Sequence, residues 1–334
     1  GDGADHGRVW RVLGVCAIVL LVSLSGYTAA AGGVTVDVSL GGSDAAPAMN
    51  ASAAADSPAG LVDASSASEN DADGDGLTDR AERAVYGTDP AVKDTDGDGI
   101  ADGMEVACDA AYSGADPLRQ DVYVELDSVE GADLSERSVD QLRQSFAEAP
   151  VENPSGESGI ALHVVRSDAG LPEQGAVNDD ARPGAYNDVT DYRSAHFQRE
   201  AAGYYYLLVA TDAAYNGDAY YAGAGRPGTA VVESYDRNKV MVSLVLHELG
   251  HAFGIDGSER GVDGREYTNA EYHSVMNYNA LYDITTYSDG TDAVGRDEWA
   301  YVANDRHQPT IATSNGARCP AIEGGESASA QDRG

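Results

Sequence analysis

The segment DRNKVMVSLVLHELGHAFG, residues 236 to 254, constrains the fold of this chain more than any other stretch. Its apolar residues would surround a helix rather than line one side of it. Such a helix has no face to offer to water and belongs in the core of a folded domain. Into it the sequence places two histidines and a glutamate. His247 and His251 stand four residues apart, about one turn from each other on the same face, where both imidazoles can reach one metal ion. Glu248 lies beside them, and Gly254 suits a left-handed helix end. This spacing on a helix predicts a zinc site in which the glutamate acts as general base toward a water that the metal acidifies.

The preceding residues supply elements that could bury such a helix. DVYVELD (121–127) alternates with a period of two, and GIALHVV (159–165), YYYLLVATD (204–212) and GTAVVES (228–234) read as further strands. SVDQLRQSFAEA (138–149) reads as a helix with a serine cap and with Val139, Leu142 and Phe146 at helical spacing. Residues 166–190, rich in Gly, Pro, Asn and Asp, read as a long loop. His163 falls among apolar strand residues and reads as a core or edge histidine, not a ligand.

HELGHAFG (247–254) resembles the start of the metzincin zinc-protease signature, and SVMNY (274–278) is similar to the Met-turn of that family. The resemblance covers roughly residues 119–305 and includes DEWAYVA (297–303) as a helix after the turn. It implies an α+β fold: a catalytic domain with a mixed sheet and a buried active-site helix. It further implies zinc held by His247 and His251, Glu248 as base, Met276 beneath the metal, and Tyr278 able to assist the transition state. The chain departs from the pattern at residue 257, where the family places a His or Asp and this sequence has Gly257. Asp256, one residue earlier, is the favoured third ligand. Asp263, Glu271 and His273 are the alternatives.

A repeat precedes this region. DADGDGLTDRAE (71–82) and DTDGDGIADGME (94–105) align without gaps at a spacing of 23. Each puts aspartate at loop positions 1, 3, 5 and 9, glycine at 6 and glutamate at 12, so that alternate carboxylates can turn toward one hard cation. The expected calcium ligands are Asp71, Asp73, Asp75, Asp79 and Glu82 in the first loop, and Asp94, Asp96, Asp98, Asp102 and Glu105 in the second. Too few residues separate the loops for two helix–loop–helix hands. The stretch YGTDPAVKDTDGDGIADGMEV instead resembles thrombospondin type 3 calcium repeats over roughly 70–118, which implies a small calcium-rigidified module ahead of the catalytic domain.

Acidic residues outnumber basic ones 56 to 21, and the net charge is −35. A phosphate backbone would be repelled, which argues against nucleic acid as a partner. With Lys93 and Lys239 as the only lysines, the composition fits a protein kept soluble in concentrated salt, where self-repulsion is screened. Arg8 and Arg11 precede an apolar run from Val12 to about Leu24 and then small residues, the layout of a cleaved secretory signal too short to span a bilayer. Export leaves Cys108 and Cys319 as an even pair that can form one disulfide. The expected organisation is a signal peptide (1–32), a disordered linker (33–69) carrying a possible sequon at Asn50, calcium-binding repeats (70–118), a zinc metalloprotease domain (119–305) and a C-terminal tail (306–334). These readings imply a secreted or cell-surface zinc-dependent endopeptidase with Zn2+ and Ca2+ as cofactors and a protein or peptide substrate. A second reading is a calcium-binding surface or adhesion protein with an inactive protease-like domain, and a third is an enzyme cleaving a non-peptide amide.

Overall fold

The computed structural model describes residues 70–173, 175–177, 188–215, 219–220, 222–313 and 318–323, all within one compact unit. The expected signal segment and linker lie outside the described residues. Among the described residues no helix is long and apolar enough to cross a membrane.

Among the described residues seven strands follow one another: β1 (Asp121–Ser128), β2 (Ala161–Arg166), β3 (Tyr205–Ala210), β4 (Ala214–Tyr215), β5 (Ala219–Tyr220), β6 (Gly223–Arg226) and β7 (Thr229–Glu233). Five of them form one sheet in the order β2-β1-β3-β7-β6, and the short β4 and β5 pair with each other. The first four strands of that order are mutually parallel and β6 runs antiparallel to β7, so the sheet is mixed. The central strands β1 and β3 are buried at every position, as expected of parallel strands covered on both faces. The alternation in β1 therefore does not mark a solvent face. Its carboxylates are buried with partners: Glu125 accepts from the backbone N–H groups of Gln198 and Arg199, and Asp127 from Asp168 N–H and the Tyr206 hydroxyl.

The helices are α1 (Asp79–Ala81), continuing into a π turn (Glu82–Tyr86), α2 (Asp102–Ala107), α3 (Glu136–Ala147), α4 (Val189–His196), α5 (Asn238–Ala252) and α6 (Glu298–Asn304). Helix α5 is the segment whose apolar residues surround it, and it packs on β6 and β7 with α3 beside it. Rings from several elements close the core around its C-terminal end: Phe146 of α3, Tyr205 of β3, Phe253, Tyr287 and Trp299 of α6 meet edge to face. The cap of α3 is Ser135, not Ser138: the Ser135 side chain accepts from Ser138 N–H, and the helix starts earlier than the sequence pattern suggests. Helix α4, capped by Asp188, begins inside what reads as a loop.

The repeats and the sheet share one core. Tyr112 packs edge to face on Tyr123 of β1 and donates to the Ala202 carbonyl. The C-terminal segment is equally attached. Arg306 is buried and donates to the carbonyls of Asp98 and Val302, Ile311 bridges to Ala202, and Cys319 forms a disulfide with Cys108. Residues 306–313 and 318–323 are thus part of the body rather than a tail.

Candidate metal centres

Helix α5 presents His247 and His251 with ring centroids 5.0 Å apart. The Nδ1 of His247 lies 3.0 Å from the Val275 carbonyl and that of His251 2.8 Å from the Ile255 carbonyl. A carbonyl can only accept, so each Nδ1 carries the proton and each Nε2 is left as the atom that can bind a metal. The two Nε2 atoms converge on one side-chain oxygen: Asp263 Oδ1 lies 3.0 Å from His247 Nε2 and 3.2 Å from His251 Nε2. Ligand atoms around a tetrahedral zinc with bonds of about 2.1 Å stand about 3.4 Å apart, so these two distances are close to two edges of such a site.

The electrostatics point the same way. Burial alone would disfavour a charge on His251, but the Asp263 hydrogen bond and charge, together with Glu248, raise its pKa to about 9. Burial would likewise raise Asp263, yet the two imidazoles hold its carboxyl well below the usual range. The cluster stabilises positive charge at the point the three groups share, which is what a cation supplies.

Asp263, and not the favoured Asp256, is therefore the carboxylate that the structure places against both imidazoles. Asp256 is exposed, and its carboxylate accepts from Ser258 N–H at 2.8 Å in a local turn. Glu271 is taken up by Thr268 N–H and hydroxyl at 2.9 Å, and His273 is exposed. Gly257 has a positive role instead. A Cβ there would lie 2.3 Å from Asp263 Oδ2 and 3.7 Å from His251 Cε1. The missing side chain is the space into which the Asp263 carboxylate reaches. Asp263 has φ 54, a left-handed conformation a non-glycine residue adopts at some expense, and it is held there by its N–H bonding to the Met276 carbonyl at 3.0 Å.

Met276 is fully buried against the same helix turn: a Cβ on Gly250 would meet its Sδ at 2.6 Å, so glycine at that position lets the methionine pack against the helix backbone. Tyr278 stacks on the His247 ring at 5.5 Å. The carboxylate of Glu248 reaches within 4.8 Å of both imidazoles and lies against β6, where a Cβ on Gly223 would meet its Oε1 at 2.7 Å. The turn bearing Met276 is fastened from α6. Buried Glu298 accepts from the hydroxyls of Tyr272 and Ser274 and from Ser288 N–H. Nothing in the sequence pattern singles out Glu298, because a glutamate in the first turn of a helix reads as a solvated dipole partner.

In the repeats, Asp71, Asp73 and Asp75 converge in the first loop and Asp94, Asp96 and Asp98 in the second. Two further triads form below them. Glu82 joins Asp75 and Asp102, and Glu105 joins Asp98 and Asp121. The position-9 aspartates differ from expectation. Asp79 accepts from Ala72 N–H and the Asn70 amide, closing its own loop. Asp102 accepts from the N–H and hydroxyl of Thr95 and sits with the ligands of the other loop. Both oxygens of Glu105, one of Glu82 and one of Asp96 are buried with no hydrogen-bond partner. Burial first, and then neighbouring carboxylates, push Asp96 up to about 9 and Glu105 up to about 11. Orphaned, mutually repelling carboxylate oxygens are the donor set of a hard cation.

The family model for the bacterial TSP3 repeat matches residues 71–93 and 94–108. No curated protein matches the chain. Among solved structures, an archaemetzincin from Methanopyrus kandleri is similar over 51% of this chain and 89% of its own, at 16% identity and a TM-score of 0.30. Metalloproteinase-II from Bacteroides fragilis is similar over 56% of this chain and 53% of its own, at 14% identity and a TM-score of 0.32.

Proposed function

We propose that this chain is a secreted, zinc-dependent endopeptidase with a metzincin-like catalytic domain and calcium-binding TSP3-type repeats. The reading is carried by His247 Nε2 and His251 Nε2, both within 3.2 Å of Asp263 Oδ1, beside Glu248. These three side chains would hold the zinc. When bound, the metal supplies the Lewis acidity that polarises a scissile carbonyl and acidifies a water. Glu248 accepts the proton of the attacking water and passes it to the departing amine. Tyr278, fixed by its stacking on His247, is the side chain of the following turn that can donate its hydroxyl to the developing oxyanion. The Val275 and Ile255 carbonyls keep both imidazoles in the ligating tautomer.

The alternative of a calcium-binding surface protein with an inactive protease-like domain draws its support from Gly257, the calcium repeats and the acidic composition. The place of Gly257 beside the Asp263 carboxylate weakens the first of these. Metal analysis separates the two. The peptidase reading expects about one equivalent of zinc in the wild type and a large loss in Asp263→Ala. Less than about half an equivalent in the wild type, with calcium present, would favour the surface protein.

A further inference from the structure

The second repeat is not complete within itself. Its Asp98 and Glu105 are joined by Asp121, the first residue of β1, with one carboxylate oxygen of each within 4.8 Å of the others. Asp121 lies beyond the residues that match the repeat family, 71–108, and belongs to the central sheet. All three side chains are buried, Glu105 at 5% exposure and Asp121 at 2%. Neither oxygen of Glu105 has a hydrogen-bond partner, and both are sealed from water, so the group is built around something that bonds to oxygen and carries positive charge. Arg306 answers only part of that demand, because its guanidinium is spent on the carbonyls of Asp98, Asp121 and Val302.

We propose that Asp98, Glu105 and Asp121 form a divalent-cation site, with calcium as the occupant, that fastens the repeats to the first strand of the sheet. Donors that are all carboxylate oxygens select a hard cation, and calcium, which sheds its water more readily than magnesium and accepts less regular geometry, suits a buried all-protein donor set better. The surroundings hold Asp121 in place for this task. His163 Nε2 lies 2.5 Å from its Oδ1, Asp116 N–H donates to its Oδ2, and its own N–H donates to Asp98 Oδ2 at 2.8 Å. His163 in turn stacks on Tyr123 with centroids 4.3 Å apart. Calcium there ties the order of β1, and through β1 that of its neighbours β2 and β3, to occupancy of the repeat. None of these residues belongs to the zinc centre, and the tests read no catalytic activity.

The first test is calcium titration of the full zinc-loaded chain, wild type against Asp121→Asn. The substitution is expected to weaken one class of calcium site at least about tenfold while leaving the others unchanged. Wild-type stoichiometry and affinity in Asp121→Asn would overturn the proposal. A second test needs no variant: hydrogen exchange of the zinc-loaded wild type with and without calcium. Added calcium is expected to slow exchange in β1 and β3 as well as in the loops. Protection confined to residues 70–118 would overturn the proposal, whether or not Asp121→Asn folds.

Discussion

Gly257→Ala tests how the third ligand position is filled. The new Cβ would lie 2.3 Å from Asp263 Oδ2, whereas real Cβ atoms essentially never approach within 3.0 Å, so the two must separate by at least 0.7 Å, and a carboxylate that turns or shifts to allow this carries Oδ1 away from the imidazoles. Metal–ligand distances tolerate about 0.2 Å. A carboxylate moved that far loses its place in the site, and zinc affinity should fall roughly a hundredfold, about 3 kcal/mol. The backbone has no reason to object, because Gly257 is exposed and is not among the residues with positive φ. The metal-free variant should therefore melt within a few degrees of the metal-free wild type, a shift of less than about 1 kcal/mol. The assay is competition for zinc against a chromophoric chelator, paired with thermal melts of both metal-free proteins. A sharper version moves the ligand. Gly257→His combined with Asp263→Ala returns the ligand to the position where the metzincin pattern carries it, and should recover most of the lost affinity. Wild-type zinc affinity in Gly257→Ala would mean that the Asp263 carboxylate does not hold the metal from the space beside Gly257.

Three other outcomes follow from the same geometry. Tyr278→Phe should retain zinc and lower kcat on a peptide substrate by about a hundredfold, the usual loss of one oxyanion donor. Because the Cys108–Cys319 disulfide closes a loop of sequence separation 211, Cys319→Ser should lower stability by about 2–5 kcal/mol in a denaturant melt and open residues 306–323 to proteolysis. In calcium-free protein, Asp96 and Glu105 have folded pKa values of about 9 and about 11, above their unfolded values, so the folded state binds more protons. Their contribution favours folding below about pH 4 and is lost as pH rises toward 9 and beyond, so the calcium-free melting temperature should fall over that range and calcium should flatten the dependence.

What can be read in advance divides along physical lines. Helix α5 is legible because a segment apolar on all sides has one stable environment, and the buried strands β3 and β7 announce themselves by composition. Strand β6 does not. Its Gly223 and Gly225 carry no strand signal, yet glycine is what lets this strand approach α5, where a Cβ at 225 would sit 2.3 Å from the Glu248 carbonyl. The proposed third ligand, Asp263, is hidden for a related reason. Nearness in sequence favours Asp256, but the path of the loop depends on a turn bond to Ser258 and on the Asp263 N–H reaching Met276, which no local pattern encodes. Asp121 carries a signal that could have found it, since Asp75, Asp98 and Asp121 follow one another at the repeat spacing of 23. The strand pattern around it masks that period, as a buried strand and a metal ligand ask for different things of the same residue.

The most direct test of the central claim is hydrolysis of casein in concentrated salt by the wild type and by Glu248→Gln, with bound zinc measured in both. The substitution keeps the shape of the side chain but puts an amide, which cannot take a proton, where the carboxylate stood. None of the three proposed ligands is touched. Each protein should bind about one equivalent of zinc, and the variant should lose at least about a hundredfold in rate. Equal hydrolysis by the two zinc-loaded proteins would contradict Glu248 as the general base.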